Sequence, residues 1–326
     1  MFIVDEDNVL IGALTDGDIR RWILKSGELS ASVTEAMNST PFSLPFHNKK
    51  EAVKLMRERC ITGIPLIDEK RHVVDICLLS DYGETKKKDD LLDVPVVIMA
   101  GGKGTRLYPY TKILPKPLIP IADTPIIERI IDYYTEFGIK MFYMTVNYKK
   151  GMIKSYFDEI TKDYTIKYVE EDKPLGTVGS IKLVNEKFNR PIFLTNCDAL
   201  ILADYADIYK CHIDNENDIT MVSALKNIQI PYGVLHMGNK GIIKSMEEKP
   251  KLSFFINTGM YVINPEIIEL IPDNTIFHMT YLIQKVIKNG GRVGTYPISE
   301  DSFLDMGEFD EMKRMEEKLR IVSSKG

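Results

Sequence analysis

The 326-residue sequence predicts an α/β protein. Its main body reads as a mixed, mainly parallel sheet with helices on both faces, preceded by a small α+β domain. Three observations lead there. The length exceeds what one hydrophobic core ordinarily serves, which predicts two domains. The first ninety residues repeat themselves at a constant offset of 63. Beyond Asp93, apolar strand-like runs alternate with amphipathic helical stripes.

The repeat sets "FIVDEDNVLIGALTDGDI" over "PLIDEKRHVVDICLLSDY", superposing Asp5 on Asp68, Glu6 on Glu69 and Asp18 on Asp81. Each copy reads as a strand, a charged turn, a second strand and an Asp-containing turn that opens a helix or a linker. Between the copies, Ala52, Val53, Leu55 and Met56 form one helical stripe, with Asn48 as its N-cap. Residues 84–93, "ETKKKDDLLD", lose all periodicity and read as a solvated linker, including the run Lys86 to Lys88. The domains are therefore expected at 1–83 and 94–326.

In the second domain the strand candidates are "VPVVIM", "KMFYMTVN", "TIKYVEE", "PIFLTNCD", "DITMVSAL" and "FFINTGMYVI". The helix "TPIIERIIDYYTEFG" is expected to start with Thr124 as N-cap and Pro125 at its first position, and to end just before Gly138. Strands alternating with helices imply parallel pairing, and ligands of such sheets bind at the carboxyl ends of the strands.

Composition narrows the function classes. A net charge of −5 argues against a surface built to hold nucleic acid along its phosphates. No apolar run reaches the ~18 residues of a membrane span, and the N-terminus shows no basic and apolar leader, so a cytoplasmic protein is expected. Cys60, Cys77, Cys197 and Cys211 lack a C-x-x-C spacing and read as reduced, mostly buried thiols. His47, His72, His212, His236 and His278 read as surface or packing residues.

The strand "VPVVIM" runs into "AGGKGTRLYPYTKILPKPL", residues 100–118. It has neither the spacing of a P-loop nor the third glycine of G-x-G-x-x-G, where Leu107 stands. The physical logic of a phosphate cradle still applies. Bare backbone lets N–H groups approach a nucleotide closely, and Lys103, Arg106 and Lys116 can neutralise phosphate charge. Pro109, Pro115 and Pro117 hold the returning chain to a defined path.

The order G-G-x-G-T-R-L-x-P-x-T-x-x-x-P-K-P-L, Gly101 to Leu118, resembles the signature of sugar-nucleotidyltransferases. The first ninety residues resemble a pair of cystathionine-β-synthase-type (CBS) modules, the first beginning when already half over. The whole chain thus resembles the CBS-linked sugar-phosphate nucleotidyltransferases, nearest to those that activate glucosamine 1-phosphate or mannose 1-phosphate with GTP. The resemblance implies a Rossmann-like, GT-A-like domain. It implies that Ala100, Gly101, Gly102, Gly104 and Thr105 offer backbone to the nucleotide, that Arg106 contacts the triphosphate, and that Lys116 reaches the reacting phosphates. It further implies base and sugar contacts from Pro174, Gly176 and Thr177, and sugar-phosphate contacts from Tyr232, Gly233, Glu248, Lys249, Asn257, Thr258 and Gly259. Asp198 and Asp305 match the family's metal ligands, with Mg²⁺ as the ion.

Glu171, five residues before Gly176, stands where thymidylyl and uridylyl relatives carry a Gln. A carboxylate has only acceptors, which suits the adjacent N1–H and N2–H₂ donors of guanine. Guanine is the expected base. The implied reaction is attack by a sugar 1-phosphate oxygen on the α-phosphorus of the triphosphate, expelling pyrophosphate, and it needs no enzyme nucleophile. In the CBS family a T-x-x-D turn binds adenosine, which makes Thr15 and Asp18 candidate ligands; the second copy keeps only Asp81. CBS pairs often associate, so a homo-oligomer through this domain is expected. Mannose 1-phosphate with GTP, glucose 1-phosphate with UTP or dTTP, and an inactive nucleotide sensor are the other readings. An amino-sugar product would point to a bacterial surface or flagellar glycan of the legionaminic acid type.

Overall fold

The computed structural model describes residues 1–26, 28–48, 51–52, 55–56, 63–78 and 91–323. The chain divides into two compact units, residues 1–89 and 90–326. Of the predicted features, Val53, Cys60, Asp81 and Lys86 to Lys88 lie outside the described residues.

In the first unit the repeat is a repeat of structure. Strands β1 (Phe2–Val4) and β2 (Leu10–Ala13) pair antiparallel, as do β4 (Gly63–Ile67) and β5 (Val73–Leu78), with β3 (Leu44–Pro45) alongside β4. The register slips between Ile3 and Val4, and again between Leu66 and Ile67, 63 positions later. Asp5 accepts from the amides of Asp7 and Val9, and Asp68 from those of Lys70 and His72. Asn8 and Arg71 each turn to a positive φ, 63° and 68°. An Asp that ties down the amides two and four residues on makes the same tight turn in both copies. Helix α1 (Asp16–Ser26) follows β2. Ala52 and Met56 of the predicted stripe are buried with Leu66 and Cys77, while the Asn48 amide meets the Glu51 carboxylate at 3.3 Å.

The second unit is built on β6 (Val96–Ala100), β7 (Met141–Val146), β8 (Thr165–Glu170), β9 (Ile192–Asn196), β11 (Ile219–Gln229), β14 (Lys251–Ile263) and β15 (Val293–Ile298). Among the described residues these form one sheet in the order β8-β7-β6-β9-β14-β11-β15. Only β14 runs against its neighbours; every other pairing is parallel. Val96, Val97 and Ile98 are all fully buried, as expected of a central strand covered on both faces. Helices α2 (Ile126–Thr135), α3 (Lys150–Glu159) and α4 (Tyr205–Asp214) pack one face, joined by the C-terminal α6 (Phe309–Ser323). Helix α5 (Met279–Lys288) covers the other through Met279, Leu282 and Val286.

Two local expectations are corrected. Thr124 does not cap α2: Thr124 and Pro125 pair with Pro120 and Ile121, so Pro125 is extended (φ −56°, ψ 141°) and takes the cap position itself. Gly138 does end the turn, at φ +83°. Strand β15 was not foreseen, because Gly294 and Pro297 interrupt its apolar pattern; as an edge strand it tolerates both. Cys77 and Cys197 are free and buried, and Cys211 is half-buried.

Candidate active site

The glycine-rich segment leaves the carboxyl end of β6, in the middle of the sheet. Two glycines are required there by contact. A β-carbon on Gly101 would stand 2.5 Å from Oε1 of Glu171, and one on Gly104 would meet Thr111 and Lys116 at 2.9 Å. Gly104 also sits at φ +63° and opens the short turn that carries Arg106. Bare backbone therefore lets the loop lie against both the Glu171 carboxylate and the Lys116 stem.

Across the loop is a cavity of about 460 Å³. Of the predicted nucleotide residues, Gly101, Gly102, Gly104 and Thr105 line it, as do Glu171, Pro174, Gly176 and Thr177. Arg106 and Lys116 line it too. Ala100 does not; it is buried in the core beneath the loop. Glu171 is 5% exposed, with its backbone pinned on both sides: its amide donates to the Val146 carbonyl at 3.0 Å, and its carbonyl accepts from Asn147 at 2.6 Å. One carboxylate oxygen accepts from the Leu175 amide at 3.2 Å. Gly176, at φ +81°, passes so close to Phe277 that a β-carbon would lie 2.5 Å from its carbonyl oxygen. Thr177 Oγ1 accepts from the Met279 amide at 2.9 Å, which joins this segment to the start of α5.

A second cavity, of about 340 Å³, adjoins the first. Met99, Arg106, Thr177, Asn196, Asp198 and His278 line both. Asn257, Thr258 and Gly259 reach the second cavity from a bulge in β14, where the register against β11 shifts between Met221 and Ser223. Gly259 takes φ +82° and lies on Asn196. The Asn257 amide is held at both ends, donating to the Tyr261 hydroxyl at 2.6 Å and accepting from the Gly259 amide at 2.9 Å. Thr258 is buried, and its hydroxyl donates to the Val222 carbonyl at 2.8 Å.

The two aspartates predicted from distant parts of the sequence are stitched together by backbone. Strands β10 (Ala199–Ile201) and β16 (Phe303–Asp305) pair with Ala199 opposite Asp305, and the Met306 amide donates to the Asp198 carbonyl at 2.9 Å. Lys116 makes an ion pair with Asp198. Burial, and then the neighbouring Asp198, push the Asp305 carboxyl up to about 6, against the opposing pull of Lys116 and Arg106. Two carboxylates held together against their own repulsion are a fit for a divalent cation. Mg²⁺ in particular takes one or two protein carboxylates and completes its shell with substrate phosphate and water.

Some predicted residues stand elsewhere. Tyr232, Gly233, Glu248 and Lys249 flank the hairpin of β12 (Val234–Met237) and β13 (Ile243–Glu247), Glu248 lying against Gly233, and none of the four lines either cavity. In the first unit, Thr15 and Asp18 bond chiefly to each other. The Asp18 carboxylate accepts from the Thr15 amide and hydroxyl at 2.8 and 2.6 Å, the Asp18 amide donates back to Thr15 Oγ1 at 3.2 Å, and Arg21 takes the other oxygen at 2.5 Å. That reciprocal pattern is a capping box at the start of α1. An adenosine ribose would have to compete with those three donors for Asp18.

His278 is the residue that sequence reasoning passed over. A lone histidine between "TIF" and "MTYL" carries no motif; only the fold, by placing the start of α5 beside β6 and β9, puts it in the wall of both cavities. His212, by contrast, is a packing residue, buried between Thr220 and Asn264 at 2.9 Å from each.

Residues 95–320 match the family described as Nucleotidyl transferase. Mannose-1-phosphate guanyltransferase 2 of Candida glabrata is 33% identical over 184 residues, 54% of this chain and 51% of that protein. The chain thus spans about half the length of that relative. D-glycero-alpha-D-manno-heptose 1-phosphate guanylyltransferase of Campylobacter jejuni is 31% identical over 212 residues, 65% of this chain and 93% of that protein. The crystal structure of HddC from Yersinia pseudotuberculosis superposes with a TM-score of 0.55 at 25% identity, covering 69% of this chain and 99% of that one. With the matched span running from the central strand through both aspartates, the chain belongs to the nucleotidyl transferase family.

Proposed function

We propose that this protein joins GTP to a sugar 1-phosphate, with glucosamine 1-phosphate as the favoured acceptor, releasing pyrophosphate. The observation that carries the reading is the meeting of two cavities at Arg106 and Asp198, one lined by the glycine-rich loop and the other by the β14 bulge. A phosphate oxygen of the sugar 1-phosphate attacks the α-phosphorus, and the bond from that phosphorus to the β-phosphate bridge breaks. No group on the protein needs to become a nucleophile, because the attacking phosphate is already anionic. Catalysis rests on alignment and on countercharge from Arg106 and Lys116.

Asp198 and Asp305 would hold a Mg²⁺ ion, which supplies further countercharge to the phosphates. Glu171 supports guanine: its backbone is fixed and its carboxylate, an acceptor only, faces the nucleotide cavity. The guanylyltransferase names of the two relatives favour GTP over UTP or dTTP, and they keep mannose and heptose 1-phosphates as rival acceptors. The first unit we read as a CBS-type pair, residues 1–83, that serves as a structural or dimerising module. Among the described residues no helix is long and apolar enough to cross a membrane, and the reaction we place in the cytoplasm, supplying an activated amino sugar for a surface or flagellar glycan of the legionaminic acid type.

The test is pyrophosphate release with Mg²⁺, crossing GTP, UTP, dTTP, CTP and ATP against glucosamine, N-acetylglucosamine, mannose, heptose and glucose 1-phosphates. Release with GTP and glucosamine 1-phosphate above the other pairs is expected. Release with UTP or dTTP instead would remove the guanine assignment while keeping the reaction. Silence with every pair, together with no binding of any nucleotide, would sink the reading.

A further inference from the structure

The wall of the second cavity offers a phosphate one permanently cationic side chain, Arg106. Asn257 and Thr258 have committed polar atoms to Tyr261, Gly259 and Val222, and Asp198 and Asp305 would favour a phosphate only through a cation held between them. Lys249, which the sequence nominates for that phosphate, lies outside both cavities. Of the side chains that line both cavities, Arg106, Thr177, Asn196 and His278 carry N–H or O–H donors.

His278 is anchored through its backbone and through one ring contact. It is the residue preceding α5, in extended conformation (φ −101°, ψ 150°), and its carbonyl accepts from the amides of Tyr281 and Leu282 at 2.9 and 3.2 Å. The next residue is tied to Thr177 through the Met279 amide. The imidazole packs against the Tyr281 ring at 5.7 Å between centroids. Among the described residues neither ring nitrogen has a hydrogen-bond partner. A half-buried imidazole in the wall of both cavities, with its nitrogens unspent, is suited to a group lying where the two cavities meet.

We infer that His278 donates an imidazole N–H to the phosphate of the sugar 1-phosphate and holds it facing the α-phosphate of the nucleotide. The inference rests on the proposed reaction and names the group that positions its acceptor. Either tautomer, or the protonated ring, offers at least one N–H, so binding requires no particular protonation state. The role is one of grip and alignment, since an already anionic phosphate has no proton to surrender.

Steady-state pyrophosphate release by wild type, His278→Ala, His278→Gln and Lys249→Ala tests it, alongside GTP binding measured by calorimetry without acceptor. A hydrogen bond to a charged group contributes about 1.5 to 3 kcal/mol, or roughly 10- to 100-fold. His278→Ala should raise KM for the sugar 1-phosphate by that factor and leave GTP affinity within about twofold. His278→Gln, which keeps an N–H donor, should recover most of the loss. Equal losses for GTP and sugar phosphate, no loss in either variant, or a loss carried by Lys249→Ala alone would overturn the inference while wild-type turnover left the reaction standing. An inactive wild type with every pair would remove both.

Discussion

Two polar clusters in this protein, one at the head of α1 and one where the glycine-rich loop meets the start of α5, dispose of their groups in opposite ways. At the head of α1, Thr15 and Asp18 spend backbone and side chain on each other and on Arg21. In the candidate site, Glu171, just after the edge strand β8, and His278, just before α5, are anchored through backbone atoms, and Arg106 has no side-chain hydrogen-bond partner among the described residues. The first arrangement is complete without a ligand. The second holds its frame through backbone and leaves the His278 ring nitrogens and Arg106 open, although Lys116 pairs with Asp198 and Glu171 takes the Leu175 amide. The difference teaches that a polar cluster is a site when its scaffold is satisfied and its chemistry is not.

The largest effects should come from the carboxylates. Asp198→Asn or Asp305→Asn removes charge where a cation would bridge to phosphate, and pyrophosphate release should fall by at least about 100-fold. Stability should move the other way for Asp305→Asn. The fold raises this carboxyl to about 6, so it favours the protonated form, and its stabilising contribution is lost as pH rises from the unfolded value of about 3.9 through 6. Without metal at pH 7.5 the Asn variant should therefore melt at or above the wild-type temperature. An Asp305 variant that lost stability and activity together would make the residue structural.

A smaller effect should separate base reading from packing. Glu171→Gln keeps the shape beside Gly101 and exchanges one acceptor oxygen for a donor. One good bidentate contact discriminates between bases by about 1 to 3 kcal/mol. The ratio of kcat/KM for GTP over UTP should fall by roughly 10- to 100-fold, with unchanged melting. A parallel loss for both nucleotides would show that the carboxylate supports the loop through Leu175 and does not read the base.

Much of this was legible in the sequence, for reasons that differ by element. The parallel strands announce themselves as unbroken apolar runs, and the glycine-rich loop as an ordered string of unusual residues. The pairing of Asp198 with Asp305 follows from no local pattern; it came from resemblance, and the β10–β16 ladder supplies its physical cause. What stayed hidden was set by three-dimensional proximity. His278 sits more than a hundred residues from the loop, and β15 is broken by Gly294 and Pro297. The Thr15 to Asp18 spacing carries two meanings, because the same residue types at the same offset also make a helix cap.

The smallest expected effect tests that closed turn. Thr15→Ala should cost about 1 kcal/mol, the usual worth of an N-cap, and leave pyrophosphate release within about twofold. Trp22, the only tryptophan in the chain, lies in α1 and reports on this unit by fluorescence during urea unfolding. Burial works to raise the Asp18 carboxyl, but hydrogen bonds from Thr15 and Arg21 outweigh it and hold the group below its ordinary range. A depressed carboxylate stabilises the fold above its unfolded value, near 3.9, and that contribution is lost as pH falls toward its folded value. The deficit of Asp18→Asn against wild type, measured through Trp22, should be present at pH 7 and shrink below about pH 4. If adding adenosine or its phosphates raised the urea midpoint of wild type and not of Thr15→Ala, the turn would be an open site after all, and the contrast with the candidate site would have to be redrawn on accessibility of Asp18 and not on the hydrogen bonds it makes.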